Sequence, residues 1–219
     1  LVHQLRKITG IRKIGFAGTL DPFASGLLIM AIGRHYTRQI DRFHDFPKTY
    51  LGCMGLGLET DTLDSYGIVT KQLPYLGSES TLTGSLSSLF PSMEGIQEQM
   101  PPDFSAKKIQ GKRAYELARN QQPVALNPKT ITIYRLKLEA ITMAGFPLLT
   151  FTVSCSAGTY VRSFARDIGY GLQSVGYLKD LVRTRVGTYS LKDAISLHHL
   201  NLETLQNALF HEIKEESYV

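Results

Sequence analysis

Between Gly15 and Gly26 the chain reads Gly-Phe-Ala-Gly-Thr-Leu-Asp-Pro-Phe-Ala-Ser-Gly, then runs into the apolar segment Leu27-Leu28-Ile29-Met30-Ala31-Ile32, which Gly33 ends. Three glycines around a single acid let the backbone take conformations that side chains elsewhere forbid. Local chemistry alone makes Asp21-Pro22 a helix start, with the carboxylate capping an orphan N–H and Pro at the first helical position. Gly26 and the short apolar run weigh the other way, because a run of that length suits a buried strand. The stretch is therefore expected to be a tight loop entering a core strand. An acid on such a loop is rigidly held and accessible, the usual placement of a catalytic group.

Further along, Leu1, Leu5 and Ile8 predict a short amphipathic helix ended by Gly10, and Tyr36, Ile40 and Phe43 recur at helical spacing as core. Lys48–Leu58 reads as a strand whose glycines imply close approach of a neighbour, and Glu59–Asp64 turns the chain. Asp61 and Asp64 are turn residues, since a Mg²⁺ or Ca²⁺ site needs a fuller oxygen cage. Leu82, Leu86, Leu89 and Phe90 mark another helix. Four cations, Lys107, Lys108, Lys112 and Arg113, follow Pro101-Pro102 on an exposed turn, and the segment after Gly111 is expected to be helical, with Ala114, Leu117 and Ala118 on one face. Ile131–Ile141 and Leu148–Cys155 predict an antiparallel hairpin, running into a helix with the stripe Val161, Phe164, Ala165, Ile168 and Leu172. Tyr160 and Arg162 mark the bend where strand becomes helix. Leu178–Tyr189 is expected to be a last strand with outward cations, Arg183 among them.

Several of these segments together resemble the TruB family of tRNA pseudouridine synthases. The resemblance rests on Lys13-Ile14-Gly15-x-x-Gly18-Thr19-Leu20-Asp21-Pro22-x-Ala24-x-Gly26-x-Leu28, on Lys48-x-Tyr50 with Gly57-x-x-Thr60-Asp61-Thr62-x-Asp64-x-x-Gly67, on Pro101–Arg119, on Cys155-Ser156-x-Gly158-Thr159-Tyr160-x-Arg162, and on Leu181-x-Arg183-x-x-x-Gly187. It implies an α/β (α+β) fold with a mixed, largely antiparallel sheet and helices and loops around a central catalytic cleft. It implies an isomerase that converts uridine to pseudouridine at position 55 in the T-loop of tRNA without a cofactor or metal, which agrees with a sequence that has no P-loop, dinucleotide fingerprint or metal cluster.

Under this resemblance Asp21 is the essential acid, as nucleophile or as a charge stabilising the sugar. Tyr50 packs on the target base, Tyr160 shapes the pocket, Leu181 walls it, and Arg162 pairs with Asp21. Lys107, Lys108, Lys112, Arg113 and Arg183 then contact the RNA backbone, holding phosphates without reading bases. Phe16 departs from the family, which usually has His there to fill the gap left by the flipped base. Phe keeps an aromatic face and loses both ring nitrogens.

The net charge of +5 leans towards a polyanionic partner without requiring one. No apolar run approaches the length of a membrane span, and two isolated thiols, Cys53 and Cys155, fit a reducing cytosol. The expected organisation is a catalytic domain over residues 1–197 with a short helical tail over 198–219, too short for the RNA-binding PUA domain of many bacterial members. The family's N-terminal strand is absent from this sequence. The default state is a monomer acting on the T-arm of tRNA. The alternative is a tRNA-binding or folding protein without catalysis, which Phe16 favours and the presence of Asp21, Tyr50 and Arg162 opposes. A carboxylate-nucleophile hydrolase would need a second carboxyl partner for Asp21, and no motif supplies one.

Overall fold

The computed structural model describes residues 1–104, 126–143 and 145–208, and the backbone alone at 108–109 and 112–113. In chain order it contains α1 (Val2–Thr9), β1 (Ile14–Ala17), β2 (Ser25–Gly26), β3 (Ile29–Ile32), α2 (Arg34–Thr37), β4 (Lys48–Leu56), β5 (Leu58–Thr60), β6 (Val69–Gln72), α3 (Glu79–Ser92), β7 (Gly95–Gln99), β8 (Lys108–Ile109), β9 (Lys112–Arg113), β10 (Lys129–Thr142), β11 (Leu148–Cys155), α4 (Val161–Gly171), β12 (Gly176–Val186), β13 (Tyr189–Ser190) and α5 (Leu202–Asn207). Two compact units emerge. One comprises 1–49 with 182–219, the other 50–181.

In the first unit α1 ends where the sequence says it should. Gly10 takes φ 70° and its N–H bonds the Arg6 carbonyl, a left-handed helix cap. Leu5, Ile14 and Leu205 form a buried cluster against which Val2, Ile8, Met30, Ile32, Ile195 and Leu200 pack. The described residues after 197 are thus tied into the core by Leu200 and Leu205, and burying a side chain of that size contributes about 1.5–3 kcal/mol. Strands β1 and β3 pair antiparallel, Ile14 opposite Ile32 and Phe16 opposite Met30.

The span from Tyr36 to Phe43 is not one helix. It breaks into α2 and a separate 3-10 turn at Ile40–Phe43, with Gln39 N–H bonding back to the Tyr36 carbonyl in the tighter i→i+3 pattern. Phe43 is the residue buried from that stripe, packed edge-on against Phe46 and tilted against Tyr189.

The second unit is built on a sheet in which β12, β4, β11, β10 and β7 lie side by side, with β10 antiparallel to both β11 and β7. The β10–β11 hairpin turns near Gly145-Phe146-Pro147, and Ile131, Ile133, Leu149, Phe151 and Val153 are buried on it. Helix α4 lays Val161, Phe164, Ala165 and Ile168 into this core, with Phe164 edge-on to Phe151. The close approach expected of the β4 glycines is present, since a Cβ on Gly55 would lie 2.4 Å from the Tyr177 ring.

Two further expectations are corrected. The last strand is two, because Gly187 at φ 54° turns β12 back into β13, with Val186 opposite Tyr189. Lys112 and Arg113 do not begin a helix. They lie extended in β9, antiparallel to β8, with Lys108 opposite Arg113. The stripe Ala114, Leu117 and Ala118 lies outside the described residues, as does Lys107.

Gly26 has φ 109° and sits against the backbone of Arg183, where a Cβ would lie 2.4 Å from the carbonyl oxygen and 2.6 Å from the nitrogen. Neither atom can move without breaking the β2–β12 ladder, so Gly26→Ala is expected to cost about 3 kcal/mol. Gly84, in α3, has nothing within 4 Å of its would-be Cβ, and Gly84→Ala is expected to stabilise by up to about 1 kcal/mol. Urea denaturation midpoints of the two variants should move in opposite directions.

Candidate active site

Asp21 lies in the first unit on a turn. The Ala24 N–H bonds the Asp21 carbonyl at 2.9 Å, with Pro22 presetting the backbone at the second position. This is the tight loop expected from the glycines, and no helix starts at Pro22. Asp21 is half-buried, and Phe16 on the neighbouring β1 is 42% exposed.

The loop's ends are tied down by Arg183. Arg183 was expected among outward cations that hold RNA phosphates, but it is 1% exposed. Its Nε donates to the Leu27 carbonyl at 2.7 Å and its Nη2 to the Gly18 carbonyl at 2.8 Å. In return the Leu27 N–H bonds the Arg183 carbonyl at 2.8 Å, and β2 pairs parallel with β12 through Val182 opposite Ser25 and Arg183 opposite Gly26. A guanidinium enclosed this way is not presented to phosphates. The signal was available: strand alternation puts Arg183 on the same face as Leu181, which is also buried.

In the second unit Tyr160 is the last extended residue, φ −97° and ψ 105°, before α4, so the expected bend lies there. It is fixed by Gln99, a residue that no sequence motif singles out. Gln99, 2% exposed, accepts from the Tyr160 N–H at 2.8 Å through Oε1 and donates to the Tyr160 carbonyl at 3.1 Å through Nε2. One side-chain amide thereby pairs the Tyr160 N–H and adds a second donor to its carbonyl, which already accepts the first helical bond from the Phe164 N–H at 3.0 Å.

Arg162, 5% exposed, opens α4 and is held from three directions. Nη1 donates to the Thr62 carbonyl at 2.8 Å, Nη2 donates to the Phe104 carbonyl at 3.0 Å, and the Asp64 carboxylate lies 3.6 Å from Nη1. Asp64 is a turn residue, as expected, and more. Its Oδ1 accepts from the Thr62 hydroxyl at 2.7 Å and the Tyr66 N–H at 3.0 Å, while its other oxygen faces Arg162. Between Thr62 and Asp64, Leu63 sits at φ 58°, an uncommon conformation for a bulky residue. That left-handed step lets two neighbours in sequence address one guanidinium. Asp61 is used up within the turn, accepting from the N–H groups of Thr62 and Ile68. Tyr50 is half-buried on β4 and Leu181 is buried on β12.

Thus the second unit brings Arg162 together with Asp64, Thr62 and Phe104, and the first brings the Asp21 loop together with Arg183. Lys108, Lys112 and Arg113 are placed only by their backbone, on β8 and β9. Removing one member of a buried ion pair takes a counter-charge from a desolvated partner, so Asp64→Ala is expected to lower stability by about 3 kcal/mol. Asp64→Asn, which keeps an acceptor, should lower it by less. Equilibrium denaturation of both variants checks the order.

Residues 6–161 match the family model described as TruB family pseudouridylate synthase (N terminal domain). The chain is 42% identical over 199 residues to a tRNA pseudouridine synthase B of Protochlamydia amoebophila, covering 90% of this chain and 72% of that protein. It is 38% identical over 200 residues to the protein of the same description from Desulfotalea psychrophila, covering 90% and 79%. A solved structure, that of a Cbf5-Nop10-Gar1 complex, superposes with a TM-score of 0.64 at 26% identity, over 90% of this chain and 47% of the other, so the chain spans about half of that protein. The mixed, largely antiparallel α+β architecture is therefore that of the pseudouridine synthases, and the chain belongs to the TruB family.

Proposed function

We propose that this protein is a tRNA pseudouridine synthase that isomerises uridine to pseudouridine at position 55 in the T-loop. The observation that carries this reading is an acid, Asp21, on a turn whose two flanks are hydrogen-bonded into the fold, in a chain of the TruB family. The relatives named above are described as tRNA pseudouridine synthase B.

The reaction breaks the bond between the sugar C1′ and N1 of uracil. The base turns, C5 bonds to C1′, and the proton on C5 is lost to solvent while N1 regains one. Atoms and electrons balance within the nucleoside and a proton exchange with water, so neither a redox partner nor a group donor is consumed. The chemistry requires the base out of its stack, at a cost of a few kcal/mol recovered through stacking and phosphate contacts. Asp21 serves as the nucleophile or as the charge that stabilises the electron-poor sugar. Tyr50 stacks on the base, Tyr160 and Leu181 shape its pocket, and Arg162 is the cation of the site. Lys107, Lys108, Lys112 and Arg113 follow the RNA backbone. We place the protein in the cytosol, as a monomer bound to the T-arm.

Single-turnover release of tritium from 5-tritiated uridine in a T-arm transcript tests the reading. Release by the protein, and none by Asp21→Asn, is expected. Intact RNA binding with no release by either protein would replace the enzyme with a tRNA-folding protein.

The exposed Phe16 supplies a second test. Its ring can stack but cannot hydrogen-bond, so Phe16→His is expected to tighten T-arm binding several-fold while the single-turnover rate at saturation stays the same. Titration of labelled T-arm reads the first and tritium release the second; an unchanged affinity would refute the role.

A further inference from the structure

We infer that Arg183 is a positioning residue for catalysis: its guanidinium closes the loop that carries Asp21 by gripping both ends, and so sets where the acid stands. This rests on the reading of Asp21 as the catalytic acid.

The Nε–H and the adjacent Nη2–H of a guanidinium form a rigid fork in one plane. Here one tine takes the Gly18 carbonyl and the other the Leu27 carbonyl, and the eight residues between them include Asp21. The two flanks of the loop are thereby brought to a fixed separation by one side chain. The backbone of the same residue adds a second fastening, with its carbonyl accepting from Leu27 N–H and its register opposite Gly26. Gly18, at φ 68°, leaves room for this grip, since a Cβ there would lie 3.2 Å from Nη1. Within the loop, the Ala24 N–H closes Asp21's own turn by bonding its carbonyl. Arg183 therefore acts on the acid through backbone, at both ends, and not through the substrate.

A lysine cannot imitate the grip, because a single ammonium on a flexible stem does not fix two carbonyls in one plane. Displacement of a catalytic group by about 1 Å costs on the order of 100-fold in rate. A pure loss of positioning lowers the rate at saturating substrate and leaves binding alone.

The test uses the full chain with Arg183→Met and Arg183→Lys, at a temperature well below the melting transition of each. Tritium release at saturating T-arm is expected to fall about 100-fold for Arg183→Met and about 10-fold for Arg183→Lys, with the T-arm Kd and its salt dependence unchanged. Amide hydrogen exchange should quicken at Ala24 and Leu27, the two loop N–H groups whose bonds the grip protects, and not in α4. Should Arg183→Met fail to fold, Arg183→Lys, which keeps the buried charge, carries the same comparison. An unchanged rate in a folded variant, or unchanged exchange at Ala24 and Leu27, would overturn the inference. So would a raised Kd with a salt slope smaller by about 1 and an unchanged saturated rate, the signature of a lost phosphate contact. If the unaltered protein releases no tritium, the enzymatic reading has failed, and the exchange measurement still decides the grip.

Discussion

In each unit the candidate site residues depend on a buried guanidinium bound by backbone carbonyls. In the unit that holds Asp21, Arg183 binds the carbonyls of Gly18 and Leu27. In the other, Arg162 binds those of Thr62 and Phe104, with Asp64 alongside. Burying a cation is costly unless every donor is used, and a hydrogen bond to a charged group contributes about 1.5–3 kcal/mol. The return is shape more than stability. A planar fork fixes the separation and angle of the groups it binds, so loops that could wander are set in one conformation. Functional loops without secondary structure of their own need such a fastening, because catalysis tolerates little displacement.

The same economy shows at the strand-to-helix junction before α4. Gln99, from β7, accepts from the N–H of the junction's extended last residue, Tyr160, and donates to the carbonyl that also accepts from the Phe164 N–H. Thr60 does something similar for the Asp64 carbonyl, donating to it at 2.7 Å. Polar side chains near the site are thus committed to holding backbone. Asp21, Tyr50, Tyr160 and Phe16 are left partly accessible, which suits residues assigned to a flipped nucleoside.

Much of this was legible in the sequence where the determining interaction is local. The cap at Gly10, the hairpin at Gly145-Phe146-Pro147, the stripe of α4 and the tight loop at Asp21 depend on residues within a few positions of one another. The helix break after Thr37 and the turn at Gly187 were missed because helical spacing and a continuous apolar pattern say nothing about a tighter i→i+3 turn or a reversal. Long-range polar roles were the least legible. Arg183 looked like a surface cation because arginine in a polar context is usually solvated, and its partners lie more than 150 residues away in sequence. Asp64 looked like a turn residue and is one, but its second oxygen faces Arg162, also distant in the chain. Only strand alternation for Arg183, placing it beside Leu181 on a buried face, hinted at the difference.

What the fold provides, then, is a rigid acid loop and a rigid arginine, and what the family provides is the reaction. The claim that joins them is that this chain converts one particular uridine of tRNA. The most direct measurement is carbodiimide-dependent primer extension on unmodified tRNA after incubation with the protein, which maps each pseudouridine to its nucleotide. One new stop is expected, reporting pseudouridine at position 55 of the T-loop. A stop at another uridine, or none on a tRNA that the protein binds, would contradict that claim.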